Sequence, residues 1–498
     1  MFTSILDLKK SQYKDMVRPA YFLDLNLNQI IDRIHLIWGE NVTSYYYYFP
    51  ADKESEDYRR DIFADIKREG VYEALLAFVA QIRSRKEVAG KKERVQIKIQ
   101  KAVWHLWEVG YYCDGLSALK QALDNADLSS DGMKAFYKYL TEYLASDRFV
   151  QMQNTMDELR KQLLAYRITL TYENGQIVIA EGDVEGSYEA YLEKCFPKHP
   201  YELKTPFTST LDLTNLEQEL LQIFVKKNQE YFKSVEKFYK KYEKYADDIL
   251  LQFAAEICFY LSFKSFSLKM QEYGYEFAAP TVDATKDMEA TGLYDLALAC
   301  ASVSDKKPVI SNSFYYGKDE KFFVLTGPNQ GGKTTFARSL GQLMYFTKMG
   351  LDVPAQSANV HHFTDILTHF SVEESVETGR GKLKEELVRL APMMDAHYDN
   401  AFVIINELFT TAANYDACIM GKSVLEHFID QHCQGIYVTH LKELTEAHPC
   451  IVSLRATLDE NRIQCFKIER SAADESACAI NQVNKYRLTY EQLKERLS

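Results

Sequence analysis

The stretch "FVLTGPNQGGKTTF", Phe323 to Phe336, runs from three apolar residues through a glycine-rich turn into Lys-Thr-Thr, with an apolar helical pattern behind it. Gly327, Gly332, Lys333 and Thr334 satisfy GxxxxGK(S/T), in the strand-before, helix-after context that this motif requires. Glycines at those positions let backbone N–H groups converge on a polyphosphate, and the start of the next helix adds the positive end of its dipole. Gly327, Pro328, Asn329, Gln330, Gly331, Gly332, Lys333, Thr334 and Thr335 are therefore expected to hold ATP, with Lys333 on the β- and γ-phosphates and Thr334 on Mg²⁺. The plainer reading is a structural turn carrying a surface lysine.

A second stretch argues against the plain reading. "AFVIINELF", Ala401 to Phe409, ends an apolar run on Asn406 and Glu407. Glu407 stands where such ATPases polarise the attacking water, and Asn406 where they carry a magnesium-associated aspartate. An asparagine reaches the metal through a water but brings no charge. Weaker metal binding is the expected consequence. His440, after the strand pattern "GIYVT", is the candidate sensor of the γ-phosphate; a structural histidine is the alternative. His361 and His362 lack a third ligand at metal spacing and read as structural.

With 498 residues, 46% hydrophobic and 26% charged, the chain has an ordinary globular composition and length for several domains. Its formal net charge of -12 excludes a surface that is cationic everywhere, so any nucleic-acid site must be local. Nine scattered cysteines without CxxC spacing read as reduced thiols, and no signal peptide is evident, which makes the expected location cytoplasmic. The apolar run from Ile249 is interrupted by Gln252 and Glu256 and reads as a buried helix too short to span a bilayer, so no membrane partner is expected.

Residues 1–290 read as mainly helical, with "NLEQELLQ" onward from Asn215 as one long solvent-laced helix. A small insert at about 165–215 opens with a hairpin pattern around "ENG". Residues 291–498 alternate short apolar runs with helices, the signature of an α/β sheet buried on both faces. "YRLTYEQLKERLS" reads as a closing amphipathic helix. The run "RSRKEVAGKKER", Arg83 to Arg94, is the densest basic patch: a solvated helix end, or a track for a phosphate backbone. "YYYY", Tyr45 to Tyr48, reads as core.

"TGPNQGGKTTFARSLGQLMYFTKMGLDVPAQSANV" resembles the ATPase domain of the MutS mismatch-repair family, whose GPNxGGK(S/T)T loop is followed at similar distance by VPA, here Val353 to Ala355. "ETGRGKLKEEL" stands where that family has GRSTF, "INELFTTAANYDA" where it has DEIGRGTSTYDG, and "YVTHLKEL" where it has ATHYxEL. Asn312 matches a family asparagine near the nucleotide. The resemblance covers roughly the last two hundred residues, and more diffusely the first part, similar to the family's core and lever domains with a clamp-like insert. It implies an α/β P-loop ATPase of the ABC type behind a mainly α-helical core and lever domain, working as a homodimer through the ATPase domain. It implies DNA as partner, in repair or recombination. The mismatch-reading N-terminal domain with its Phe-x-Glu wedge is expected to have no counterpart, which implies branched or structured DNA rather than mismatched DNA.

Three departures bear on activity. Asn406 replaces an acid. Gly381 replaces the serine that reaches the partner subunit's γ-phosphate and Lys382 the threonine that follows it, and Thr411, Ala412 and Ala413 replace a Gly-Thr-Ser turn. Slow hydrolysis is expected. The alternative is a catalytically weak, nucleotide-gated protein-interaction module; a transporter- or chromosome-type ATPase is disfavoured by the lack of LSGGQ.

Overall fold

The computed structural model of the chain describes residues 2–8, 17–50, 52–166, 168–173, 176–181, 213, 215–303, 309–371, 381–398, 400–458, 464–472 and 494. Two units form, Met1–Phe2 with Lys67–Ala255, and Thr3–Ile66 with Glu256–Ser498.

In the first unit, apolar residues at Val71, Leu75, Phe78, Val79 and Ile82 recur every three or four positions and give helix Val71–Arg94 one buried face. It pairs with helix Lys98–Leu123. Gly115 permits the close approach, since a Cβ there would lie 2.9 Å from that of Gln81. Helices Asp131–Leu144 and Asp147–Ala165 each start on a serine whose hydroxyl accepts an N–H of the first turn, Ser130 from Met133 and Ser146 from Phe149. Phe136 stacks on Phe253 with centroids 3.4 Å apart; each buried ring contributes about 1.5–3 kcal/mol.

The single long helix expected from Asn215 is instead three, Asn215–Lys227, Gln229–Lys241 and Asp248–Glu272. Asn228 leaves helical geometry at the first break. At the second, the Asp247 side chain accepts the Leu250 N–H and starts a new helix. The apolar run from Ile249 belongs to that 25-residue helix, long and apolar enough to cross a membrane by length and composition, with two-thirds of its most apolar window buried in protein. The expected hairpin is present, β1 (Ile168–Glu173) pairing antiparallel with β2 (Gln176–Glu181). The rest of the insert and the closing helix lie outside the described residues.

The second unit holds two sheets. One joins β3 (Thr281–Val282), β7 (Ser357–Val360), β4 (Met288–Leu293) and β5 (Asn312–Tyr316) in that order. The other has six strands in the order β12 (Gln464–Arg470), β11 (Ile451–Leu458), β6 (Phe322–Thr326), β10 (Gln434–Val438), β9 (Phe402–Asn406) and β8 (Ile366–Phe370). All its pairings are parallel except β11 with β12. Every residue of β6, β9 and β10 is buried, as expected for a parallel sheet covered on both faces. Helix Lys333–Lys348 packs against β8, β9 and β10.

The units do not divide at 290/291, as the sequence had suggested. β3 and the start of β4 precede residue 290, and residues 3–66 pack into the second unit. Tyr345 of helix Lys333–Lys348 donates to the Tyr46 carbonyl at 2.6 Å, and Lys348 pairs with Glu56 at 2.7 Å, both members buried. Arg59 is fully buried and donates to the Leu6 carbonyl. Burying a lysine and an arginine requires partners, and the N-terminal segment supplies them. Tyr46 is core, donating to the Phe259 carbonyl.

Candidate nucleotide site

Because β6, β9 and β10 run parallel, the segments following them emerge at one edge of the sheet. Backbone bonds tie these exits together: the Glu407 N–H donates to the Val438 carbonyl at 2.9 Å and the Thr439 N–H to that of Leu325 at 3.0 Å.

The loop after β6 needs its glycines. Gly327 has φ 130°, and a Cβ there would come within 2.9 Å of Ala456 on β11; Gly332 has φ 87° and precedes the helix as its N-cap. At Gly331 a Cβ would lie 3.0 Å from the Pro328 carbonyl oxygen. These are positions a side chain would block. The Lys333 amine folds back on the loop, donating to the carbonyls of Gly327 and Pro328, each at 2.9 Å. Thr334 donates its hydroxyl to Asn406 Oδ1 at 3.0 Å, so the two oxygens assigned to the metal are adjacent.

Glu407 adopts φ 55°, a left-handed backbone, and its carboxylate lies 3.5 Å from His440 Nε2, both side chains partly exposed. A cavity of about 390 Å³ opens beside them, lined by Gln330 to Thr335, Glu407, Asn312 and Phe466. That volume suits a small organic ligand. Gly327, Pro328, Asn329, Asn406 and His440 are not among its lining residues.

Asn312 lines the cavity with its amide engaged: Nδ2 donates to the Phe466 carbonyl at 3.1 Å and Oδ1 accepts the Ile468 N–H at 2.9 Å. It thereby holds β12, and Phe466 with it, against the loop. Phe466 sits at φ 58° within van der Waals reach of a Cβ built on Gly332. Sequence reading missed Phe466, Leu298, Ile310 and Asp295 on this wall. Only Asp295 left a signal, an aspartate before an apolar helix; its carboxylate accepts the N–H groups of Ala297 and Leu298. Burial raises the Asp295 pKa, against the lowering effect of the hydrogen bond from Gln342 of helix Lys333–Lys348.

Gly381 is exposed and caps helix Lys382–Asp395, its carbonyl accepting the N–H groups of Lys384 and Glu385. Neither Gly381 nor Lys382 lines the cavity, and the Lys382 side chain and residues 372–380 lie outside the described residues. His361 contacts the Lys286 carbonyl and His362 the Glu56 carboxylate. Among the described residues no His, Cys, Asp and Glu cluster could hold a metal ion. Mg²⁺ would instead meet the oxygens of Thr334 and Asn406, a donor set that suits a hard cation completing its shell with water and phosphate.

In the basic run, Lys92 is not a free charge. It pairs with Glu108 at 2.6 Å, and Tyr245 donates to the same carboxylate at 2.8 Å. Burial alone would raise the Glu108 pKa, but the His105 ring 3.7 Å away and hydrogen bonds from Lys92 and Tyr245 hold it down at about 2.

A glycine loop at the end of a buried parallel strand, a lysine folded onto that loop, and a carboxylate after β9, two strands along the same sheet, are the arrangement of a P-loop domain. Residues 323–483 match the protein family MutS domain V. The chain is 32% identical over 168 residues to the DNA mismatch repair protein MSH6 of Arabidopsis thaliana, covering 33% of this chain and 13% of that protein. To the DNA mismatch repair protein spellchecker 1 of Drosophila melanogaster it is 28% identical over 176 residues, 34% of this chain and 19% of the relative. The DNA mismatch repair protein MutS of Fervidobacterium nodosum is 28% identical over 138 residues, 28% of this chain and 17% of the relative. The matched stretches thus span about a fifth or less of those relatives.

Proposed function

We propose that this chain binds ATP in the cavity beside Lys333 and hydrolyses it slowly, coupling nucleotide state to DNA binding as a homodimer. What carries the reading is the convergence of Lys333, the Thr334–Asn406 pair and the Glu407–His440 pair at one edge of the sheet. Lys333 exchanges its loop carbonyls for phosphate oxygens. Glu407 orients and polarises a water that attacks the γ-phosphorus while the bond to the β-γ bridging oxygen breaks, giving ADP and phosphate. His440, 3.5 Å from that carboxylate, steadies it and reaches toward the γ-phosphate. Mg²⁺ would be held by Thr334 and, through water, by Asn406, and would supply charge that screens the phosphates. Asn406 leaves its shell one negative charge short, which slows turnover.

Gly381 and Lys382 complete the phosphate pocket of the second subunit, Lys382 supplying a cation there. The DNA assignment rests on the relatives' names and on the exposed cations Lys86 and Arg94 of the basic run. Branched or structured DNA is the expected substrate. Asn406 and Gly381 favour one second reading, a nucleotide-gated protein-interaction module with little turnover.

The test is a titration of duplex, single-stranded, mismatched and branched DNA at two salt concentrations, with and without ATP. Binding should fall steeply with salt, change with ATP, and weaken in Lys86→Glu/Arg94→Glu. Normal ATP binding without binding to any DNA would favour the second reading. Preference for a single mismatch would overturn the shape-based expectation.

A further inference from the structure

Glu407 owes its position to an unusual turn. Glu407 and Phe409 both adopt left-handed backbone conformations, at φ 55° and 62°, which bulky side chains rarely occupy. Such a turn persists only where its surroundings hold it. On one side the Glu407 N–H is bound by the Val438 carbonyl. Leu408 and Phe409 anchor it from below, each 2% exposed in the cluster with Leu390, Val424 and Tyr437.

A further hold is a side chain. Glu386, itself 2% exposed, accepts the Phe409 N–H on Oε2 at 3.1 Å. It lies on helix Lys382–Asp395, one turn beyond Lys382. That helix is fixed at other points: His369 of β8 contacts the Glu386 carbonyl at 3.2 Å, and Arg389 donates to the Phe370 carbonyl at 2.9 Å and to Asp24 at 3.2 Å. A rigidly seated carboxylate therefore grips the turn that carries Glu407.

We propose that Glu386 is a positioning residue for Glu407, holding the Glu407–Phe409 turn in its left-handed form and linking the segment at Gly381 to the water-polarising carboxylate. This rests on the reading of Glu407 given above. Displacing the helix start by binding of a second subunit would move the Phe409 N–H and, through it, Glu407. Glu386 touches no phosphate, so its loss acts on turnover and not on ATP affinity.

The test uses the full chain and two readouts, amide hydrogen exchange of residues 405–412 and steady-state ATP hydrolysis with ATP affinity measured alongside. Glu386→Ala should speed exchange at Phe409 and lower kcat, each by about tenfold or more, while the Kd for ATP stays within about twofold. Glu386→Gln keeps an acceptor at the same reach and should stay within about threefold of the parent on both readouts. If Glu386→Ala does not fold, Glu386→Asp, which draws the acceptor back by one methylene, should reproduce the losses. Unchanged exchange in a folded Glu386→Ala or Glu386→Asp overturns the proposal, as does unchanged kcat where Glu407→Gln abolishes turnover. Should Glu407→Gln itself leave turnover intact, the catalytic reading is at fault, and the exchange rates alone decide whether Glu386 holds the turn.

Discussion

Replacing Lys333 by alanine removes an ammonium group that is 4% exposed and bonded to two loop carbonyls at 2.9 Å. Without nucleotide, the change leaves the oxygens of Gly327 and Pro328 without that donor. Both residues are only partly buried, so water can replace the amine, and the loss of folding stability should stay under about 1 kcal/mol. With nucleotide the loss is larger. A charge-assisted bond to phosphate contributes about 1.5–3 kcal/mol, and releasing the two carbonyls offsets part of it. A net of about 2 kcal/mol corresponds to roughly a 30-fold weaker Kd. Isothermal titration calorimetry with ATP and Mg²⁺ reads it directly, and the thermal midpoint checks folding. A folded Lys333→Ala protein that binds ATP within about twofold of the parent would refute the assignment of the loop as the phosphate site.

Asn406→Asp restores the missing charge while keeping an acceptor for Thr334; turnover should rise about tenfold at limiting Mg²⁺, and an unchanged Mg²⁺ midpoint would count against a metal role. His440→Ala should lower kcat about tenfold with ATP affinity near that of the parent, since His440 faces Glu407 and not the loop; a parallel loss of affinity would assign it to binding instead. Glu108 has a folded pKa of about 2 against an ordinary 4.5, so its contribution to stability is present above pH 4.5 and lost as the pH falls toward 2. The difference in thermal midpoint between the parent and Glu108→Gln should therefore shrink on acidification from pH 5, and a constant difference would argue that the Lys92 pair contributes nothing.

What the sequence disclosed was local. β6, β9 and β10 were legible because strands buried on both faces must be apolar throughout, and the loop because its glycine spacing before Lys333 and Thr334 is that of a phosphate-binding turn. Glu407 could be placed because it follows its strand immediately. What stayed hidden depended on distant partners. Nothing near Phe466 indicates that it faces Gly332 across more than 130 residues of chain, and nothing near Glu56 indicates that it meets Lys348. Lys92 resembled a free cation because its partner, Glu108, lies on the next helix. The expected long helix failed for a different reason. Its charge pattern continues through Asn228 and Tyr242, but backbone geometry there does not.

Steady-state hydrolysis of ATP by the parent chain and by Glu407→Gln, with ATP binding measured in both, tests the central claim most directly. The account predicts slow, Mg²⁺-dependent turnover in the parent and a rate lower by about a hundredfold or more in Glu407→Gln, with ATP still bound at near-parent affinity. A Glu407→Gln protein that hydrolyses ATP as fast as the parent would contradict it.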